Sequence, residues 1–268
     1  MLKDVTLGQY FPGASLVHRL DPRTKLLMVI LYFVALFSAK GLTAYLLVLA
    51  FLVAAIRISK IPFKSITRGL KPLVIIVVFT GVLNLFYAGG EHEIFHIGKV
   101  RATWEGAATA GYMVGRILML VTGTFLLTYT TSPIALTDGL ELLLNPLKKI
   151  KVPVHELSMM MCIALRFIPT LIEETDKIMS AQKARGADFE SGKLMERAKA
   201  LIPILVPLFI SAFRRADELA TAMECRCYQG GEGRTKMKQL HYQRNDFAAF
   251  GAAALLTAAV IILKKFGM

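Results

Sequence analysis

Two short stretches hold the residues best suited to recognition chemistry. DKIMSAQKARG covers residues 176–186 and DELATAMECRC covers 217–227. Laid one on the other, Asp176 falls on Asp217, Ile178 on Leu219, Ser180 on Thr221, Ala181 on Ala222 and Arg185 on Arg226. Each arginine follows an aspartate by nine residues. A guanidinium is a rigid planar fork that pairs bidentately with a carboxylate, which suits it to an interface. Ala184 and Gly186 flank the first arginine, and Cys225 and Cys227 flank the second. Small flanks let a helix end enter a groove. A cation near a helix C-terminus is also favoured by the macrodipole, by about 0.3–1 kcal/mol, and contact with lipid phosphate is another reading. Neither accounts for an aspartate, an apolar position, a small pair and an arginine repeating in order. The repeat reads as two equivalent surfaces, or as one surface meeting a pseudo-symmetric partner.

Catalytic chemistry is hard to find elsewhere. The chain has no G-x-x-x-x-G-K-[ST] nucleotide loop, and its one H-E-x-x-H spelling, HEIFH at residues 92–96, falls in the mixed link between two apolar windows rather than on an expected helix. The other histidines, His18, His155 and His241, are scattered without metal-ligand spacing. His155-Glu156 reads as the first turn of a helix rather than an acid–base pair. Cys225-Arg226-Cys227 is a single Cys-x-Cys, and a closed zinc site needs four ligands. With Cys162, these cysteines fall in a segment assigned to the cytoplasm, where disulfides are rare. Neither a metal nor a cofactor is expected on this chain.

The elements that must carry the arginines belong to a membrane protein. Of 268 residues, 55% are apolar and 19% charged. Charge-free windows run Leu26–Ala39, Gly41–Ile56, Pro72–Gly90, Ile117–Thr137 and Phe247–Leu263. A spanning helix needs about 20 mainly apolar residues. The first two windows are short, but flanking Lys25, Lys40 and Arg57 can stretch their stems to the interface. Lys40-Gly41 reads as the tip of a helical hairpin. The expected fold class is all-α, a polytopic membrane protein with about five transmembrane helices and long cytoplasmic or interfacial coupling helices. The expected division is 1–131, a lead-in and four spans; 132–246, a cytoplasmic coupling region; and 247–268, a last span.

The net charge of +13 reads as topology, because Lys and Arg collect on the cytoplasmic side. Arg19, Arg23 and Lys25 precede the first window, and Arg57, Lys60, Lys64, Arg68 and Lys71 fill the link after the second. Both belong inside, with the N-terminus. The mixed link GGEHEIFHIGKVRATWEG, with Trp104 as an interfacial anchor, belongs outside. The Lys264-Lys265 end then falls outside, against the charge rule. Nucleic acid is not an expected partner. Arg116 lies within an apolar stretch, where it either faces a partner or snorkels to the interface.

Within 132–246, Ser132-Pro133 starts a helix and Asn145-Pro146 breaks or kinks it. A second helix opens at Pro153 and stops near Gly186, with a kink expected at Pro169. Leu157, Met160, Met161, Ala164, Leu165, Ile168, Leu171 and Ile172 form one face. Glu173, Glu174, Asp176 and Lys177 show its last turns leaving the hydrocarbon. Ser191-Gly192 starts a third helix. The apolar run Leu201–Phe213, interrupted by Pro203 and Pro207, is too short to span and lies along the interface or against another subunit. Gly230-Gly231 is the expected stop. The last window is rich in Ala and Gly, which permits close helix contact.

On these residues the chain resembles the transmembrane (T) component of energy-coupling factor transporters, a branch of the ATP-binding cassette importers. The resemblance runs from GQYFPGASLVHRLDPRTKLL through TTSPIALTDGLELLLNPLKKIKVPVHELSMMMCIALRFIPTLIEETDKIMSAQKARGADF to LVPLFISAFRRADELATAMECRCYQGGEGRT. It implies a non-catalytic subunit that joins two cassette ATPases, identical or different, to a membrane-embedded S component for uptake of vitamins or other micronutrients. ATP and Mg would be held by the ATPases. The family's two x-Arg-x motifs fall on Ala184-Arg185-Gly186 and Cys225-Arg226-Cys227, the second departing from the commoner Ala-Arg-Gly. Asp176 and Asp217 are supporting positions. Leu201, Ile204, Leu205, Leu208, Phe209 and Phe213 are candidates to face the S component. The other reading is a stand-alone secondary transporter or channel. That would need a polar path through the spans, which are nearly free of polar residues.

Overall fold

A computed structural model describes residues 10–87, 93–97, 100–187, 189, 194–231 and 239–265. The expected helix start at Ser191-Gly192 lies outside the described residues. Eleven α-helices occur among those described: α1 Leu16–Arg19, α2 Pro22–Ser38, α3 Gly41–Ser59, α4 Phe63–Leu70, α5 Val74–Tyr87, α6 Trp104–Thr130, α7 Pro133–Leu144, α8 Val154–Ala184, α9 Leu194–Ala200, α10 Ile202–Glu224 and α11 Arg244–Lys265. Before α6 the chain forms one antiparallel hairpin of β1 Glu93–Ile97 and β2 Val100–Thr103. The architecture is helical, with this small ornament in the link between α5 and α6.

The chain separates into two compact units, residues 8–140 with 240–268 and residues 141–239. In the first, α2, α3, α6 and α11 share one core of Tyr32, Leu36, Tyr45, Val48, Met119, Leu256 and Val260. Gly123 is required here: a Cβ at that position would come 2.6 Å from Cε1 of Tyr32. The Tyr32 hydroxyl donates to the Met119 carbonyl at 3.0 Å, so α2 and α6 are clamped where their backbones approach. By contrast α5 exposes Ile75, Phe79, Val82 and Leu83, which in a bilayer face alkyl chains.

Five stretches of the described residues are long and apolar enough to span: Gly41–Ser59, Phe63–Leu85, Trp104–Thr130, Val154–Ala184 and Arg244–Lys265. The number agrees with the sequence reading, but the membership differs. At 17 residues, α2 reaches about 26 Å at 1.5 Å per residue, the short end of the roughly 17–25 residues of a spanning helix. Helix α8 also meets the length and composition of a span through its apolar first half. Helix α8 continues through Pro169. Helix α10 likewise runs through Pro203 and Pro207 without a break. Pro203 lies in the first turn, where its missing N–H has no helical partner to lose, and Pro207 gives up one bond.

The first unit is knotted by polar groups at one end of its bundle. Asp246 is buried in the first turn of α11. Its carboxylate accepts from the Asp21 amide and from the Gln243 amide, both at 2.7 Å. Asp21 caps α2 by accepting from the Arg23 amide at 2.9 Å and pairs with the Arg23 guanidinium at 2.8 Å. That guanidinium also donates to the Leu240 carbonyl at 3.0 Å and lies 4.0 Å from the centre of the Tyr242 ring. Lys25 corrects the sequence reading. It does not stretch to the interface but is buried, donating to the Thr130 carbonyl at 2.9 Å, the Thr131 hydroxyl at 3.1 Å and the His18 carbonyl at 3.3 Å. An ammonium has three donors, and here each has an acceptor.

Two outcomes follow from the knot. Asp246→Ala strips a charged acceptor from two amides and should cost about 2–4 kcal/mol, with Asp246→Asn losing less. Thermal unfolding in detergent measures this, and an unchanged transition would refute the assignment. Burial pushes the Asp21 carboxyl up, but hydrogen bonds from Arg23 and the Arg23 and Lys25 charges outweigh it and leave it below its ordinary value. A depressed carboxyl stabilises the fold fully above its unfolded pKa and loses that contribution as pH falls through the folded value. Melting temperature should therefore drop below about pH 4, less steeply in Asp21→Asn.

Candidate functional site: two matched helix tips

Helices α8 and α10 pack together in the second unit. The Arg215 guanidinium pairs with the Glu174 carboxylate at 2.8 Å, fastening the middle of one helix to the other. Beyond this clasp both helices run on to their C-terminal ends, and these ends carry the repeat.

The repeat is a structural one. The Ser180 hydroxyl donates to the Asp176 carbonyl at 2.8 Å, and the Thr221 hydroxyl to the Asp217 carbonyl at 2.9 Å. At the first end, the amides of Arg185, Gly186 and Ala187 donate to the carbonyls of Gln182, Lys183 and Gln182, at 3.1, 3.0 and 3.0 Å. At the second, those of Arg226, Cys227 and Tyr228 donate to Met223, Glu224 and Met223, at 3.1, 2.8 and 3.1 Å. The pattern is the Schellman closure, which satisfies carbonyls that a helix end leaves free and turns the chain through one left-handed residue. Gly186 fills that position at φ +87° and Cys227 at φ +55°. Arg185 and Arg226 each immediately precede it, and both are exposed.

The second stop differs from the sequence reading. Helix α10 ends at Glu224, several residues before Gly230-Gly231. A search for glycine misses the turn, because a cysteine occupies the position that glycine usually takes. The superposition of Cys227 on Gly186 was the signal that could have found it. Left-handed backbone costs a residue with a Cβ roughly 1–2 kcal/mol, so the tips share a geometry at unequal cost. Ala184 and Cys225 precede the arginines, and both are exposed.

The apolar run presents Leu201, Leu205, Phe209 and Phe213 to the exterior. Leu208 is half-buried, lining a hollow with Leu171 of α8. Ile204 is buried. Phe209 and Phe213 meet edge to face with centroids 4.7 Å apart. The exposed positions recur at four-residue steps, a single helical stripe.

Other sequence candidates do not assemble a reactive site. His155 pairs with Glu141 of α7, Nδ1 to Oε1 at 3.1 Å, rather than with its neighbour Glu156. No cluster of three metal-ligating side chains occurs among the described residues. Arg116 is half-buried, its guanidinium 5.9 Å from the Phe37 ring centre and 5.7 Å from that of Tyr45. Sequence reasoning missed Asp246 altogether, because a carboxylate beside a polar connector resembles a solvated one.

A bundle of apolar helices joined in sequence to a second helical unit defines a polytopic membrane protein. Residues 13–237 match the CbiQ family model, described as cobalt transport protein. The chain is 56% identical over 261 residues to the energy-coupling factor transporter transmembrane protein EcfT of Thermosediminibacter oceani, covering 97% of this chain and 98% of that one. It is 54% identical to the protein of the same name from Clostridium kluyveri, over 99% and 98% of the two chains. The Bacillus subtilis protein of that name is 49% identical over 98% and 100%. The chain belongs to this family and is a transmembrane component of an energy-coupling factor transporter.

Gly186→Ala forces a Cβ into the left-handed position and should loosen the first tip by about 1 kcal/mol, while Cys227→Gly tightens the second by a similar amount. Hydrogen exchange at the Ala187 and Tyr228 amides reads both. The expected changes are roughly fivefold in opposite directions, and equal exchange in both variants would dismiss the strain argument.

Proposed function

We propose that this chain is the coupling subunit of the transporter, carrying ATP-driven motion from two cassette ATPases to a membrane-embedded S component that captures a vitamin or other micronutrient. The observation that carries the reading is the pair of matched tips. Two equal helix ends with equally placed exposed arginines suit two similar receptors, one on each ATPase. Arg185 and Arg226 are assigned to acidic residues in a groove on each ATPase, flanked by Ala184 and Gly186 at one tip and Cys225 and Cys227 at the other. Asp176 and Asp217 support the tips by holding equivalent last turns. The chain itself catalyses nothing and binds no cofactor; ATP and Mg belong to the ATPases. The N-terminus and residues 132–246 face the cytoplasm, consistent with the distribution of Lys and Arg.

Closure of the ATPase pair around ATP moves the two docked tips relative to each other. Because Arg215 and Glu174 clasp α8 to α10, displacement of the tips is carried into the exposed stripe Leu201, Leu205, Phe209 and Phe213. That stripe lies under the S component, with Leu208 and Ile204 supporting it from within, and its movement releases or re-engages the S component. An equilibrium shifts only through contacts that differ between its states. Charge-assisted hydrogen bonds at desolvated arginines contribute on the order of 1.5–3 kcal/mol each, enough to bias it.

Arg185→Glu combined with Arg226→Glu should abolish co-purification with the ATPases in detergent while the protein still inserts in the membrane. Each single reversal should weaken the complex without dispersing it. An undiminished complex in the double variant would sink the docking assignment.

A further inference from the structure

The bundle of α2, α3, α6 and α11 contains a cavity that the coupling role does not use. Its volume is about 400 Å³ and its walls are apolar, a size within the roughly 300–1,000 Å³ of small-ligand sites. Small residues create it: Ala54 and Ala55 on α3, Gly123 on α6, and Ala248, Ala249 and Ala252 on α11. On α11 these alanines follow Asn245 at helical spacing and make one face of the helix. Their counterpart Ala253 is buried in the core. The alanine richness of α11 thus serves two faces, one packed and one hollow.

The cavity has a definite depth. It is lined by the second and third turns of α2, the first turns of α11 and the last turns of α3 and α6, with Leu16, Val17 and Leu20 of the α1 segment closing one side. From Asn245 to Ala252 it runs about 10 Å along the helix axis. It therefore begins where the spans meet the interface and extends into the hydrocarbon. A cavity with such walls stays dry, and an empty one forfeits dispersion contacts all round. The bilayer supplies alkyl chains at this depth.

Three exposed arginines adjoin wall residues in the sequence at the same end of the bundle. Arg19 precedes Leu20, Arg57 precedes Ile58, and Arg244 precedes Asn245, each neighbour being a wall residue. None of the three forms an ion pair among the described residues, whereas nearby Asp21 and Asp246 are consumed by the knot. Apolar depth below free cations matches one kind of molecule. We propose that the cavity binds an anionic phospholipid, one acyl chain filling it and the phosphate held by Arg19, Arg57 and Arg244. The bound lipid completes the packing between α3 and α11 that the small residues leave open.

Native mass spectrometry of the full chain, delipidated in detergent, tests this with phosphatidylglycerol and phosphatidylcholine of matched acyl chains. One phosphatidylglycerol should be retained per chain, preferred by roughly tenfold. Ala252→Phe fills the cavity and should remove the retained lipid, as should the milder Ala249→Leu if the first variant fails to fold. Arg19→Gln with Arg57→Gln and Arg244→Gln changes only exposed groups and should reduce phosphatidylglycerol to the phosphatidylcholine level. Inorganic phosphate should not compete, since the acyl chain anchors the ligand. Retention unaffected by the cavity variants would place the lipid elsewhere and overturn the proposal. An unchanged headgroup preference in the arginine variant, or loss of the lipid when the partner subunits are bound and fill the cavity, would overturn it as well.

Discussion

The membrane unit depends on one buried carboxylate. Asp246 holds the Asp21 amide at 2.7 Å, joining the N-termini of α2 and α11 across most of the sequence. Lys25, one turn along α2, reaches the carbonyl of Thr130 at the end of α6. Three helix termini are thus fixed by two side chains, in surroundings too dry for water to replace them. A buried carboxylate and ammonium are tolerable only because every donor and acceptor is used. The register of the helices, the contact of Gly123 with Tyr32 and the alanine-lined hollow all follow from where this knot sets the helix starts.

The second unit solves a different problem. Its two helices each bring an exposed arginine to the same place at the end of the last turn. A shared backbone closure does this: the Schellman bonds set the turn, the turn sets the Cα–Cβ direction of the preceding arginine, and the hydroxyl of Ser180 or Thr221 marks the equivalent turn upstream. The side chain in the left-handed position can then vary, since the hydrogen bonds involve only backbone. Gly186 and Cys227 are two answers to one backbone requirement, and the exposed surface beside each arginine differs accordingly.

Much of this was legible in the sequence, for physical reasons that also explain the misses. Charge-free windows exposed the spans because hydrocarbon excludes charge, and Lys40-Gly41, Ser132-Pro133, Asn145-Pro146 and Pro153 marked helix ends through restricted backbone. The Asp–Arg repeat was visible because equal backbone closures impose equal spacing. Lys25 was misread because a lysine beside a short span looks the same whether its stem leads outward or its ammonium is capped within. Asp246 was missed for the same reason. Pro207 suggested an interruption because its cost is local, while the stabilisation that carries α10 through it comes from packing against α8.

The unequal tips also give the molecule a native optical handle. Cys225 and Cys227 are exposed, and the remaining cysteine, Cys162, is half-buried. A maleimide dye applied briefly to the unmodified chain would mark the α10 tip and leave the α8 tip dark. The α10 tip could then be told from the α8 tip, its equal in backbone, on the free chain without adding a single foreign residue.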